Sequence, residues 1–62
     1  MNRFWKEELE NKLKNKIFMW DVRSNLWRNV HDPTETMTDG QYEAIYFALS
    51  LLGKIDDDYP LP

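Results

Sequence analysis

Ile17-Phe18-Met19-Trp20-Asp21-Val22-Arg23-Ser24-Asn25-Leu26-Trp27-Arg28-Asn29-Val30 is the stretch on which the fold turns. Two periodicities compete in it. At helical spacing, Leu13, Ile17, Trp20, Ser24 and Trp27 recur at intervals of 4,3,4,3, and Met19, Val22, Leu26 and Val30 make a second stripe. At strand spacing, residues 17–22 and 26–30 form two short runs joined at Arg23-Ser24-Asn25. No Asn-Gly or Asp-Gly marks that joint, and two isolated strands are marginal in water. The helical reading is therefore preferred, with a kink near Asp21. The alternative is α+β, with a β-hairpin at 17–30 between two helices.

The flanks support helices on either side. Upstream, Asn2 is a suitable N-cap and Glu7 and Glu8 suit the positive end of a helix. Trp5, Leu9, Leu13, Ile17 and Trp20 fall within an arc of about 120°. Glu8 with Lys12, and Glu10 with Lys14, stand four apart in the favourable order. Downstream, Asp32-Pro33 ends the segment, because proline disfavours helix at the residue before it. Residues 34–37 read as loop. Thr38 with Gln41 makes a capping box that starts a helix running to Leu52, with Gly53 at its C′ position and Lys54 beside its negative end. The expected architecture is all-α, a small helical hairpin or three-helix arrangement over 1–55. An acidic, proline-containing tail, Asp56-Asp57-Asp58-Tyr59-Pro60-Leu61-Pro62, comes after it and is expected to fray.

Composition narrows the function classes. The chain has 62 residues, nine of them aromatic, and no cysteine, which excludes a disulfide scaffold and a cysteine zinc site. Its net charge is −3, and the charge is uneven. Residues 1–30 hold seven bases and four acids, net +3; residues 31–62 hold one base and seven acids, net −6. Opposite halves attract one another in a compact fold and give the surface a dipole that steers charged partners. No signal peptide is apparent, and the longest apolar run, 44–52, is half of what a bilayer requires. The expected setting is cytoplasmic, without a membrane.

Catalytic chemistry is not expected. His31 is the only histidine, it precedes Asp32-Pro33 in a loop, and neither Ser24 nor Ser50 stands in a triad-like spacing with it. His31, Asp32 and Glu35, or Asp56 to Asp58, match no EF-hand or zinc spacing, and the two glycines make no phosphate loop. No cofactor is expected. Lys6, Lys12, Lys14, Lys16, Arg23 and Arg28 interleave with aromatics as in single-strand binders, but Glu7, Glu8, Glu10 and Asp21 dilute them, so nucleic acid is an unfavoured partner. The opposite idea, an acidic surface imitating nucleic acid, draws on Asp32, Glu35, Asp39, Glu43 and Asp56 to Asp58.

The last helix asks for a protein partner. Asp39, Glu43, Ser50 and Lys54 occupy only about 60° of its wheel, while apolar residues span most of the rest. A chain near this length buries only about 60% of its unfolded surface and is marginal alone. Tyr42, Ile45, Leu49 and Leu52, or the other edge Phe47 and Leu51, are the expected contact face. Phe4, Phe18 and Trp27 are candidate aromatic anchors, since tryptophan and other aromatics concentrate at interfaces. The expected function is a small protein-binding or regulatory module that acts by occupying a partner, either another protein or a second copy. The alternatives are a structural accessory subunit or homodimer of a larger assembly, and a nucleic-acid binder. In size, acidity and aromatic content the chain resembles small accessory proteins of bacteria and their viruses, including virus-encoded inhibitors of host enzymes. The resemblance is one of type, with no residue motif behind it.

Overall fold

A computed structural model describes residues 5–56 and 58–62, Trp5 by its backbone alone. The elements run α1 (Trp5–Lys14), β1 (Phe18–Asp21), β2 (Leu26–Asn29), β3 (Thr36–Met37) and α2 (Asp39–Leu51). The three strands form one antiparallel sheet in the order β1-β2-β3. The fold is α+β, which overturns the all-α expectation; the hairpin alternative at 17–30 is the closer description.

The reason lies at the end of α1. The Lys16 N–H donates to the Leu13 carbonyl at 3.1 Å and the Ile17 N–H to the Lys12 carbonyl at 3.0 Å. These are the 5→2 and 6→1 bonds of a Schellman motif, and Lys16 sits in the left-handed region at φ 54. A lysine there carries steric strain that glycine would not. Once the chain has turned, Phe18 and Trp20 face the core while Met19 faces outward. Register is Phe18↔Asn29, Met19↔Arg28, Trp20↔Trp27 and Asp21↔Leu26.

Asp21 closes the hairpin in place of a glycine turn. Its carboxylate accepts from the Arg23 N–H (3.0 Å), the Ser24 hydroxyl (2.9 Å) and Arg28 Nε (3.1 Å). The Asn25 N–H donates to the Asp21 carbonyl at 2.8 Å, with Asn25 left-handed at φ 55, a conformation asparagine tolerates. These donors, Ser24 first, hold the Asp21 carboxyl below the ordinary carboxylate range. The residues 34–37, expected as loop, supply β3 instead: Trp27 pairs with Met37 and Arg28 with Thr36. A third strand lifts the hairpin out of the marginal two-strand regime.

Buried Asn29 organises the connection between β2 and β3. Its Oδ1 accepts from the His31 N–H (2.8 Å) and the Asp32 N–H (3.2 Å), and its Nδ2 donates to Glu35 at 2.6 Å. Glu35 also accepts from Lys12 Nζ at 3.0 Å, which ties α1 to this loop. Asn29 first and Lys12 next hold the Glu35 carboxyl below its usual value. Lys12–Glu35 and Lys54–Glu10 (3.4 Å) each join the basic first half to the acidic second.

The core lies between the sheet and α2. Leu13, Phe18, Trp27, Tyr42 and Tyr46 are buried, with Leu9, Trp20, Met37, Ile45, Leu49, Ile55 and Tyr59 packed around them. Trp27 and Tyr42 stack at 4.2 Å between centroids and 13° between planes. Phe18 meets Tyr42 edge-on at 5.9 Å. Four of the five buried core residues are aromatic, so ring geometry defines the centre of the core.

α2 begins and ends as its sequence announces. Thr38 accepts from the Gln41 N–H at 3.2 Å, and Gln41 Oε1 accepts from the Thr38 N–H at 3.0 Å. At the other end the Gly53 N–H bonds to Ser50 O (3.0 Å) and the Lys54 N–H to Leu49 O (2.9 Å), with Gly53 at φ 72. The tail beyond is docked where fraying was expected. Tyr59 lies 5.4 Å from Tyr46 and 5.9 Å from Tyr42, and the Tyr46 hydroxyl donates to the Asp58 carbonyl at 3.0 Å. Asp39 is the shared acceptor: Trp27 Nε1 donates to it at 2.9 Å, and the Tyr59 hydroxyl donates to the same oxygen.

Candidate docking surface

The core, the tail and solvent divide the surface of α2. Tyr42, Ile45, Tyr46 and Leu49 occupy about 100° of the wheel and face the core. Asp39 and Tyr46 meet the tail through Tyr59 and Asp58. Ala44, Phe47, Ala48, Leu51 and Leu52 run through a further arc of about 140° and are all exposed. Phe47 is 60% exposed, Leu51 73% and Leu52 69%. A helix that keeps three large apolar side chains in water on one side, after folding has satisfied the other, has surface left for a partner.

A groove of about 290 Å³ continues this stripe toward α1, between Lys6, Leu9 and Glu10 on one wall and Ile45, Ala48 and Leu49 on the other. Its edge is charged. Glu10 accepts from Lys14 at 3.1 Å and from Lys54 at 3.4 Å, and Lys14 first holds its carboxyl below the usual value. On the opposite edge a shallow cleft joins Gly40, Glu43, Ala44 and Phe47. An apolar centre with a charged rim is the anatomy of a protein–protein contact.

The residues singled out from sequence separate cleanly. Phe47, Leu51 and Leu52 stand together on the exposed stripe. Ile45 and Leu49 are half-buried, packed on the core and open to the groove on their other side. Tyr42 is 2% exposed and belongs to the aromatic core. Phe18 and Trp27 are buried there as well, so their rings serve the interior. Phe4 lies outside the described residues. Ala44 and Ala48 are exposed beside Phe47 and lower the stripe locally.

Sequence reasoning passed over the outer face of the sheet. Met19 and Val30 stand on or beside it, exposed, with Val22 exposed in the hairpin turn. Their signal was present as the stripe Met19, Val22, Leu26, Val30, which a helical reading assigns to an interior.

Two of the acids considered for metal binding, Glu35 and Asp32, have structural partners. Glu35 is held by Lys12 and Asn29, and Asp32 accepts from the Thr34 hydroxyl at 2.6 Å. Among the described residues no group of three His, Asp or Glu side chains converges as a metal site would. Of the basic residues interleaved with aromatics, Lys12, Lys14 and Arg28 are engaged with Glu35, Glu10 and Asp21. Among the described residues no helix is long and apolar enough to cross a membrane.

Comparison with known proteins sets this surface beside no precedent: no protein-family model, no curated protein and no solved structure matches the chain.

Proposed function

We propose that this chain is a small non-enzymatic protein-binding module that acts by occupying an apolar surface of a partner, through the α2 stripe of Phe47, Leu51 and Leu52 and the adjoining groove. The observation that carries this reading is the incomplete burial of α2. Its core side is satisfied by Trp27, Phe18 and Tyr59, yet its far side keeps three large apolar side chains in solvent. Ala44 and Ala48 beside them admit close approach by another helix or an apolar ridge. A regulatory role in the cytoplasm, with inhibition of a host enzyme by a virus-encoded protein as its narrower form, is the class of activity such occupancy serves.

The test is a paired capture experiment. Wild-type protein and a Phe47→Asp, Leu51→Asp variant are immobilised and exposed to a lysate of the source cell, and retained proteins are identified by mass spectrometry. Both substituted positions are exposed, so circular dichroism should show the fold intact. A partner held by wild type and reduced more than tenfold by the variant supports the proposal. Identical retention by both, or no retained protein, overturns it.

A further inference from the structure

The tail touches the rest of the fold as a bound peptide does, by one anchor set between exposed neighbours. Tyr59 is half-buried, whereas Asp56, Asp58, Pro60 and Pro62 are exposed and Leu61 is 85% exposed. The Tyr59 ring meets Tyr46 and Trp27 edge-on, at 5.4 and 6.4 Å, and lies tilted against Tyr42 at 5.9 Å. Its hydroxyl donates to Asp39, and the Asp58 carbonyl accepts from the Tyr46 hydroxyl at 3.0 Å. Among the described residues no backbone-to-backbone hydrogen bond joins 56–62 to the helices or the sheet. Pro60 and Pro62 have no N–H with which to make one. A single aromatic anchor with solvated flanks is how short extended motifs dock.

The seat of that anchor is built by other elements. Trp27 stacks on Tyr42, and Tyr42 on Tyr46 at 6.2 Å and 27°. Trp27 Nε1 holds the Asp39 carboxylate at 2.9 Å, in the first turn of α2. Walls and acceptor thus belong to β2 and α2. The Tyr59 ring does not fill the space: a cleft of about 80 Å³ remains between it, Glu43, Tyr46, Phe47 and Ser50. Charge opposes the docking. Asp56-Asp57-Asp58 leads into a site whose own acids are Asp39 and Glu43. Lys16 shares a cleft with Asp58, yet among the described residues neither Asp56 nor Asp58 makes an ion pair. The ring is matched to its seat and the acidic run before it is not.

We propose that Tyr59 occupies in cis a recognition site for a tyrosine-anchored segment of a partner protein, basic where this tail is acidic. The partner's ring takes the seat between Trp27, Tyr42 and Tyr46, and its hydroxyl donates to Asp39. Lysine or arginine before that tyrosine meets Asp39 and Glu43 with opposite charge, where the tail brings like charge. The tail competes from an effective concentration on the order of millimolar, set by its short connection to α2. Only a segment that outcompetes it is admitted, so the tail raises the threshold for binding and sharpens selectivity. Leu51 and Leu52 take no part in this seat, and the site stands or falls separately from the α2 stripe.

Peptide titration into the full chain, followed by NMR at the Trp27 indole N–H, tests the site. The probes are two synthetic peptides, Lys-Lys-Lys-Tyr-Pro-Leu-Pro and the tail's own Asp-Asp-Asp-Tyr-Pro-Leu-Pro. The proteins are wild type and Tyr59→Ala, whose seat is vacant. The basic peptide should shift the indole resonance saturably and bind Tyr59→Ala at least about tenfold more tightly than wild type. It should bind more tightly than the acidic peptide, by a margin that shrinks as salt is added. Phenylalanine in place of its tyrosine should weaken it about tenfold, through the lost bond to Asp39. No saturable shift in Tyr59→Ala at millimolar peptide overturns the proposal. So does equal affinity for the two proteins, equal affinity of the two peptides, or binding that is lost in Leu51→Asp. A Tyr59→Ala chain found unfolded by circular dichroism overturns it too, because a displaceable tail cannot be what holds the core together.

Discussion

The two helices end by the same hydrogen-bond device, and only one of those ends advertises itself. α2 closes with Gly53 left-handed at φ 72, and α1 closes with Lys16 left-handed at φ 54. Both then satisfy their last carbonyls through the paired bonds of a Schellman motif. Glycine enters that conformation freely, so Gly53 signals a stop whatever surrounds it. Lysine does so against a steric cost of about 1–2 kcal/mol. Something beyond local propensity must hold it there. The strand after Lys16 does so: Phe18 and Trp20 reach the aromatic core only if the helix has ended.

The largest effect that separates the two ends concerns burial. Leu13, one residue before the last of α1, is 1% exposed, while Leu51, the last of α2, is 73% exposed. Leu13→Ala should cost about 2–5 kcal/mol by leaving a cavity. Leu51→Ala should stay within about 0.5 kcal/mol, as for other exposed sites. Urea unfolding of both variants measures the contrast; equal losses would mean that α2 is buried in a stable assembly.

A second difference lies in what titrates. The first turn of α2 carries Asp39, whose carboxyl is held below its ordinary value by the Tyr59 hydroxyl first and Trp27 second. Tyr59 is pushed well above its ordinary value, by burial first and then by its bond to Asp39. A lowered carboxylate contributes stability above its unfolded value of 3.8, lost as pH falls through the folded one. A raised phenol contributes stability below its unfolded value of 10.0, lost as pH rises toward the folded one. Thermal stability should therefore hold a plateau between these limits and fall on either side. Tyr59→Phe should remove Tyr59's share of the alkaline fall and leave that of Tyr42, which burial also raises. An unchanged alkaline limb in that variant would show that the tail bond is absent in solution.

The smallest effect addresses the comparison most directly. Lys16→Gly should stabilise the fold by about 0.5–1 kcal/mol, because relief of the left-handed strain exceeds the entropy that glycine adds to the unfolded chain. Gly53→Ala should destabilise by about 1 kcal/mol; no neighbouring atom would meet the added methyl, so the effect is conformational. Denaturant midpoints for the pair, moving in opposite directions, would establish the two ends as one motif with different residues.

The limits of legibility run along the same line. α2 was readable from Thr38 to Gly53, since capping box, glycine stop and apolar wheel are all local properties of the chain. The hairpin was readable only as the alternative, because its turn has four residues closed by Asp21 and Asn25, without the Asn-Gly or Asp-Gly of a two-residue loop. β3 is two residues long, below any period a pattern can reveal. The docked tail was likewise hidden: its anchors are the Tyr59 hydroxyl on Asp39, twenty residues away, and the Tyr46 hydroxyl on the Asp58 carbonyl. For the candidate surface, the apolar excess of α2 could be counted from composition alone. Which side of it remained in water depended on Tyr59 and on the sheet.

Local chemistry thus settled where a helix begins, where glycine ends one, and how much oily surface this short chain must place somewhere. Long-range packing settled which of two compatible periods residues 17–30 would adopt, and which α2 residues are interior. The division has a single cause. Caps and glycine stops act between atoms a few residues apart, whereas the stacking of Trp27 on Tyr42, and the inclined contacts of Tyr59 with both, act between segments brought together only by folding.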